Sequence, residues 1–231
     1  MKNVLVIVLL AMVVTSGCAV QRGWRFTPNT YTPPAKPLVL KTVAVPRFKD
    51  ARPNENTNKL FFSVIPLMPF GWASASAPES FSPYFKYRPS DDFAKAAVEE
   101  IQATGLFKEV FFTERESEGD LILRGEIKST HYNQKILSYG LSSFAGLFWV
   151  LGAPIGTVTN ELNVRLVLED KATKTVLWKN EYKREYNGII WVYSAPPFFQ
   201  YDILYTEILK TAMEEMTAQI RRDKNLLAST Q

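Results

Sequence analysis

Hydrophobic and polar residues alternate most regularly between Glu161 and Tyr182. Leu162, Val164, Leu166 and Leu168 interleave with Glu161, Asn163, Arg165, Val167 and Glu169. Residues 170–174 have turn composition, and Val176, Trp178, Asn180 and Tyr182 then alternate with Leu177, Lys179 and Glu181. A period of two on both sides of a polar turn predicts a β-hairpin with one buried face. Residues 38–48 are apolar on both faces at Val43-Ala44-Val45, which predicts a central strand ending at Asp50-Ala51-Arg52-Pro53. Residues 106–113 and 121–130 predict two further strands, the second with Leu121, Leu123 and Ile127 near alternation.

Two segments carry helical periodicity. Ser90-Asp91-Asp92 offers a capping side chain and first-turn acids, followed by an apolar stripe of Phe93, Ala94, Ala97, Val98 and Ile101 that ends at Gly105. Asp202 can cap a second helix with Leu204, Ile208, Ala212, Met216 and Ile220 on one face. The order is strand, helix, strand, strand, hairpin, helix. Helices are too few for a doubly wound sheet. The expected class is α+β: a mixed or antiparallel sheet with two main helices packed on one face, plus apolar Pro/Gly-rich insertions.

Those insertions fit neither period. The first runs through Phe61, Phe62, Pro66, Pro69, Phe70, Gly71 and Trp72, and its prolines forbid a regular helix or central strand in its second half. The second, residues 136–158, contains Phe148, Trp149, Gly152, Pro154 and Gly156 and has no charge between Lys135 and Glu161. Two readings stay open: a lid that completes the core, or an exposed surface for a partner or lipid. The named residues are the candidate contact set. Polar residues 54–58, residues 73–89 and residues 188–199 are expected loops.

Composition narrows the chemistry. There is one histidine, His131, and one cysteine, Cys18. A zinc site would rest mainly on carboxylates, and a Ser-His-Asp triad would need His131 with no Gly-x-Ser-x-Gly elbow to serve it. No phosphate loop is present. The pairs Asp91-Asp92 and Glu99-Glu100 are sequence neighbours, which do not share a helix face. No enzymatic activity, metal or cofactor is expected. The net charge of +4 comes from 27 basic and 23 acidic residues, without a basic block of the kind that tracks phosphates, so nucleic acid is not an expected partner.

The amino terminus speaks to location. Lys2 precedes an apolar run over residues 4–14, and Thr15-Ser16-Gly17-Cys18 follows. The run is about 11 residues, against about 20 for a spanning helix. A charged start, a short apolar core and small residues at a cut site describe a signal peptide. With cysteine after the cut, the pattern resembles a bacterial lipoprotein signal, with Thr15 where leucine is usual. The resemblance implies diacylglycerol on the Cys18 thiol, an acylated amino end such as palmitate supplies, and a membrane partner. Ala19 in place of aspartate implies the outer membrane, with the domain facing the periplasm. The expected organisation is a signal over 1–17, a Pro-rich extended tether over 18–37, one α+β domain over 38–224 and a flexible tail over 225–231. A lone cysteine excludes an internal disulfide, so stability must come from a core.

Three local motifs carry a second resemblance: the opening strand Lys41-Thr42-Val43-Ala44-Val45-Pro46-Arg47-Phe48-Lys49-Asp50-Ala51-Arg52, the helix exit Ala103-Thr104-Gly105-Leu106-Phe107-Lys108-Glu109-Val110, and the hairpin Leu166-Val167-Leu168-Glu169-Asp170 to Val176-Leu177-Trp178. Over roughly residues 40–180 they resemble exported lipoproteins with a domain like the amino-terminal domain of TolB and the curli-secretion channel lipoprotein. That implies a non-catalytic binding or assembly module in outer-membrane biogenesis, transport or maintenance, with an envelope protein or a second copy as partner. The alternative is an oligomeric pore-forming or export lipoprotein whose apolar insertions enter the bilayer.

Overall fold

A computed structural model describes residues 24, 26–77, 87–114, 118–194 and 199–222. The expected signal peptide, Cys18 and the tail over 225–231 lie outside the described residues.

The hairpin is the spine of the molecule. β8 (Gly156–Asp170) and β9 (Val176–Ile190) pair antiparallel from Gly156↔Ile190 to Glu169↔Val176, so the alternating pattern extends well beyond the stretch where it is clearest. Along its other edge β8 meets two different strands. Its first residues pair with β7 (Tyr132–Leu137), and its later ones with β6 (Leu121–Ser129). The sheet therefore forks. One branch continues from β6 to β1 (Val39–Pro46) and β5 (Phe107–Thr113), both pairings of β1 being parallel. β2 (Lys49–Asp50) extends β1 alongside β6. The other branch runs antiparallel from β7 to β4 (Phe70–Ala75) and β3 (Asn56–Lys59). The class is α+β with a mixed sheet.

Helix α1 (Pro89–Thr104) packs on the first branch, α3 (Tyr201–Arg222) packs on the hairpin, and the two pack on each other; the short α2 (Ala145–Val150) belongs to the second branch. Phe93, Ile101, Tyr205, Met216, Val43, Leu123 and Leu166 are buried in one core between helices and sheet. The apolar stripes of both helices thus face the sheet's apolar side, the arrangement their period demands. α1 starts one residue before the expected cap. Pro89 takes the first turn, where its missing N–H costs nothing, and Asp92 Oδ2 accepts the Arg88 N–H at 2.6 Å. Gly105 ends α1 at φ 64, a left-handed position that glycine occupies without steric cost.

Four expectations need correction. Residues 56–59 form edge strand β3, whose four exposed polar residues leave no hydrophobic pattern to read. Residues 70–75 form β4 where a loop was expected from residue 73; Pro69 sits just before the strand, a position that needs no ladder donor. Residues 188–190 still belong to β9. The extended tether is the largest departure, because its second half lies on the domain. The Trp24 ring is 5.0 Å from Phe93 and stacks on Tyr87 at 5.7 Å, and Phe26 is 6.4 Å from Tyr205. Asn29 donates its backbone N–H (3.0 Å) and side-chain amide (2.6 Å) to the fully buried Glu100 carboxylate, and the Tyr31 hydroxyl donates to the same group. Burial and the Glu100 charge push the Tyr31 hydroxyl far above its ordinary pKa. Prolines made residues 26–37 extended, but aromatic burial and three donors on one buried carboxylate turn them into a strap.

Candidate functional site

Five strands end at the same place. β3 and β7 arrive there, β4 and β8 depart from it, and β9 arrives again, as the pairs Lys59↔Trp72, Phe70↔Leu137, Ile136↔Gly156 and Gly156↔Ile190 require. The connections between them are the two insertions and the exit of β9, so this end of the sheet is built from three uncharged segments, 60–70, 136–158 and 186–194.

Hydrogen bonds lock the segments together. Leu67 N–H donates to Gly140 O (2.9 Å), Ser138 and Tyr139 N–H donate to Pro69 O (2.9 and 3.0 Å), and the Ser142 hydroxyl donates to Val64 O. Trp149 Nε1 donates to Leu137 O at 3.0 Å, and the Tyr139 hydroxyl to Pro154 O at 2.6 Å. The Tyr193 hydroxyl reaches Val150 O at 2.8 Å. With these backbone groups paired internally, apolar side chains face outward. Leu67 is 88% exposed, Leu151 84%, Tyr193 74% and Phe144 73%; Leu147, Val150, Val64 and Phe61 are also exposed. Most of the exposed large hydrophobic side chains among the described residues lie at this one end. Both readings open from sequence hold in part: each insertion packs some of its apolar residues and exposes others.

The expected contact residues divide. Phe61, Pro66, Pro69, Phe148 and Gly152 are exposed. Phe62, Phe70 and Trp72 are half-buried in an aromatic cluster with ring separations of 5.4 Å (Phe62–Trp72) and 5.9 Å (Phe70–Trp72). Trp149 and Pro154 are half-buried and carry the bonds above. Gly71 and Gly156 are buried and make no outward contact, which corrects their place in the set. A Cβ on Gly71 would lie 2.3 Å from Leu60 O, and one on Gly156 1.9 Å from Lys135 O. Both are glycine because another backbone approaches them. Leu67, Phe144, Leu147 and Leu151 lie within the two expected segments, 60–72 and 136–158, though not among the named residues; sequence reasoning missed Tyr193. The signal for Tyr193 was the absence of any charge between Glu185 and Asp202.

Backbone strain collects here too. Leu67 (φ 67), Tyr139 (φ 55) and Ser142 (φ 53) adopt left-handed conformations, as do Gly140 and Gly152. A left-handed conformation costs a non-glycine residue roughly 1–2 kcal/mol. Leu67 combines that cost with near-complete exposure of an apolar side chain.

Charge is layered beneath the end. Lys59 lies 5.4 Å from the Trp72 ring centroid and Lys135 5.6 Å from that of Phe70. The acids nearest the end on β8 and β9 are Glu161 and Glu185, which face each other across the hairpin five residues from Gly156 and Ile190. At about 3.3 Å per residue they stand roughly 16 Å deeper. No helix among the described residues is long and apolar enough to cross a membrane.

The remaining polar features are occupied. His131 joins β6 to β7; its Nε2 is 3.4 Å from the Ser74 hydroxyl, while the Glu161 carboxylate is held by Lys183 at 2.7 Å. A hollow of about 410 Å³ beside Pro46 is lined by Arg47, Lys49, Arg124 and Arg165, but three of these cations are paired with Asp91, Glu126 and Glu169. No group of three or more metal-ligating side chains is placed to hold an ion among the described residues.

The sequence matches no protein-family profile and no curated protein. Solved structures similar in fold include a protein of the DUF330 family from Xanthomonas campestris, with 12% identity, coverage of 88% of this chain and 99% of that one, and a TM-score of 0.48. The PelC dodecamer from Paraburkholderia phytofirmans has 12% identity, coverage of 80% and 92%, and a TM-score of 0.41. A Helicobacter pylori homolog of a neuraminyllactose-binding hemagglutinin has 10% identity, coverage of 90% and 96%, and a TM-score of 0.41. With these scores below 0.5, the likeness carries no function, and this chain's own surface must supply it.

Proposed function

We propose that this protein is a lipid-anchored, non-catalytic lipoprotein of the cell envelope. Cys18 carries the lipid at the outer membrane, the domain faces the periplasm, and the protein works by binding in assembly, transport or maintenance of that membrane. The observation that carries the reading is the uncharged end of the sheet. Monomeric soluble domains rarely expose contiguous apolar patches of more than a few hundred Å², and larger ones mark interaction sites. Here hydrogen bonds such as Leu67 N–H to Gly140 O and Trp149 Nε1 to Leu137 O tie the segments of the patch to one another, so it is not the by-product of a loosely packed loop. The run Thr15-Ser16-Gly17-Cys18 supports the anchor. The carboxylates engaged by Lys183, Lys49 and Arg47 support binding over acid–base chemistry.

Metabolic labelling tests the anchor and the location together. The wild type should incorporate labelled palmitate and stay with outer-membrane fractions through an alkaline wash. A Cys18→Ser variant with a cleavable export signal should incorporate none and be released by the wash. An unlabelled wild type, or a Cys18→Ser chain that resists the wash, overturns the reading.

A further inference from the structure

We infer that the occupant of the apolar end is the lipid–water interface of an anionic membrane, into which the end dips without spanning. The inference deepens the proposed function and rests on it for the membrane concerned.

The first argument is the order of chemistry along the strands. The outermost layer is aliphatic and aromatic, with Leu67, Leu151 and Phe144 foremost. Next come the half-buried aromatics Phe70 and Trp72, each with a lysine over its ring. The acids Glu161 and Glu185 follow roughly 16 Å deeper. Acyl chains, then anionic phosphates, then water present the complementary order. Aromatic rings favour the headgroup level, and lysine stems bury while their ammonium groups reach phosphate. A protein groove would not require cations ahead of anions in this way.

The second argument is the length of free chain. Because Trp24 is already packed on Tyr87 and Phe93, only five residues separate it from Cys18. The six steps from Cys18 to Trp24 span at most roughly 20 Å. A domain held that near a leaflet must present some surface to it, and the uncharged end is the surface whose chemistry fits.

The third argument is Leu67. Asparagine or glycine would suit φ 67 better, and a polar side chain would suit 88% exposure better. A residue that breaks two local rules with no compensation inside the fold points to an external contact. The depth is that of an interfacial element, about 5–10 Å, since residues 142–150 form only a single 3₁₀ turn and the six-residue α2.

The test uses the full chain with Cys18→Ser, so that Leu151→Cys supplies the single cysteine for an environment-sensitive fluorophore. On vesicles of phosphatidylethanolamine and phosphatidylglycerol the label should shift to the blue and be quenched by lipids carrying a nitroxide near the headgroup. A label on Lys174→Cys, at the far turn of the hairpin, should stay aqueous. Adding Leu67→Asn should weaken partitioning by about tenfold, since one buried leucine side chain is worth at least a decade in equilibrium constant. Phosphatidylcholine vesicles should bind more weakly than anionic ones. An aqueous spectrum at Leu151→Cys under saturating lipid overturns the inference. So does a blue shift that needs no vesicles and resists nitroxide quenching, which would assign the end to a second copy of the chain. The absence of acyl chains on the wild type would sink the anchor while leaving this result intact, because the tested variant has no Cys18.

Discussion

Glu100→Gln is the sharpest test of the strap formed by residues 26–37. Glu100 is fully buried, and its two oxygens accept from three donors on the strap: Asn29 N–H, the Asn29 side-chain amide and the Tyr31 hydroxyl. Glutamine keeps the shape but has only one accepting oxygen. If that oxygen serves the Asn29 amide and Tyr31, the new NH₂ faces the Asn29 N–H, donor against donor. One charge-assisted bond is lost and a buried N–H is orphaned, which costs about 1–3 kcal/mol. In the opposite orientation the new NH₂ faces the Asn29 side-chain amide, again donor against donor, while the Tyr31 hydroxyl can turn to accept. The strap can relieve the clash only by lifting, which exposes Trp24 and Phe26. Urea unfolding should therefore show a lower midpoint, and hydrogen exchange should show faster exchange over residues 26–37 than over β8 and β9. Asn29→Ala removes the side-chain amide donor and leaves the backbone N–H, so combining it with Glu100→Gln should cost less than the sum of the two single changes. Unchanged stability within about 0.5 kcal/mol, with full protection of residues 26–37, would refute the claim that Glu100 holds the strap.

Further outcomes follow from the same geometry. Gly156→Ala should unfold or severely destabilise the second branch of the sheet, by about 3 kcal/mol or more, because its Cβ would lie 1.9 Å from the Lys135 carbonyl oxygen in a β7–β8 pair; thermal denaturation measures it. Leu67→Asn should leave thermal stability unchanged or slightly raised while weakening vesicle binding, since it relieves a left-handed leucine that buries almost nothing. Asp170 accepts from Lys41 Nζ at 2.8 Å and from the Ala172 and Thr173 N–H groups, which lower its pKa to about 2. A depressed carboxylate stabilises the fold above its unfolded value of 3.8, so this contribution should fade as pH falls from about 4 to about 2 and should be missing in Asp170→Asn. Tyr205 and Tyr132 are raised well above 10.0 by burial; a raised group favours the fold below its unfolded pKa, so stability should decline above about pH 10 in a circular-dichroism titration.

Much of the fold was legible because its determinants are local. The stripe Phe93, Ala97, Ile101 ends at Gly105, and the alternation of Leu162, Val164, Leu166 and Leu168 turns over at Asp170; both patterns repeat with the period of the backbone that carries them. Strands β3 and β4 were not legible. Asn56-Thr57-Asn58-Lys59 buries nothing, and β4 begins directly behind a proline, so their pairing is visible only once β7 is there to receive β4. The two apolar insertions were legible as unusual, but their state was not. Apolar composition suits a core and an interface equally, and the choice depends on how much neighbouring surface remains to cover them.

By itself, then, the sequence determined the two long helices and the strands with a periodic apolar face, which segments lack charge, and that one cysteine follows a short apolar run. Tertiary structure decided two things that no local pattern contains. It brought segments separated by up to about 120 residues to one end of a forked sheet, because strand pairing aligns chain ends regardless of sequence distance. It also laid residues 26–37 along α1 and α3, because a buried carboxylate on one helix needed donors that its own helix could not supply.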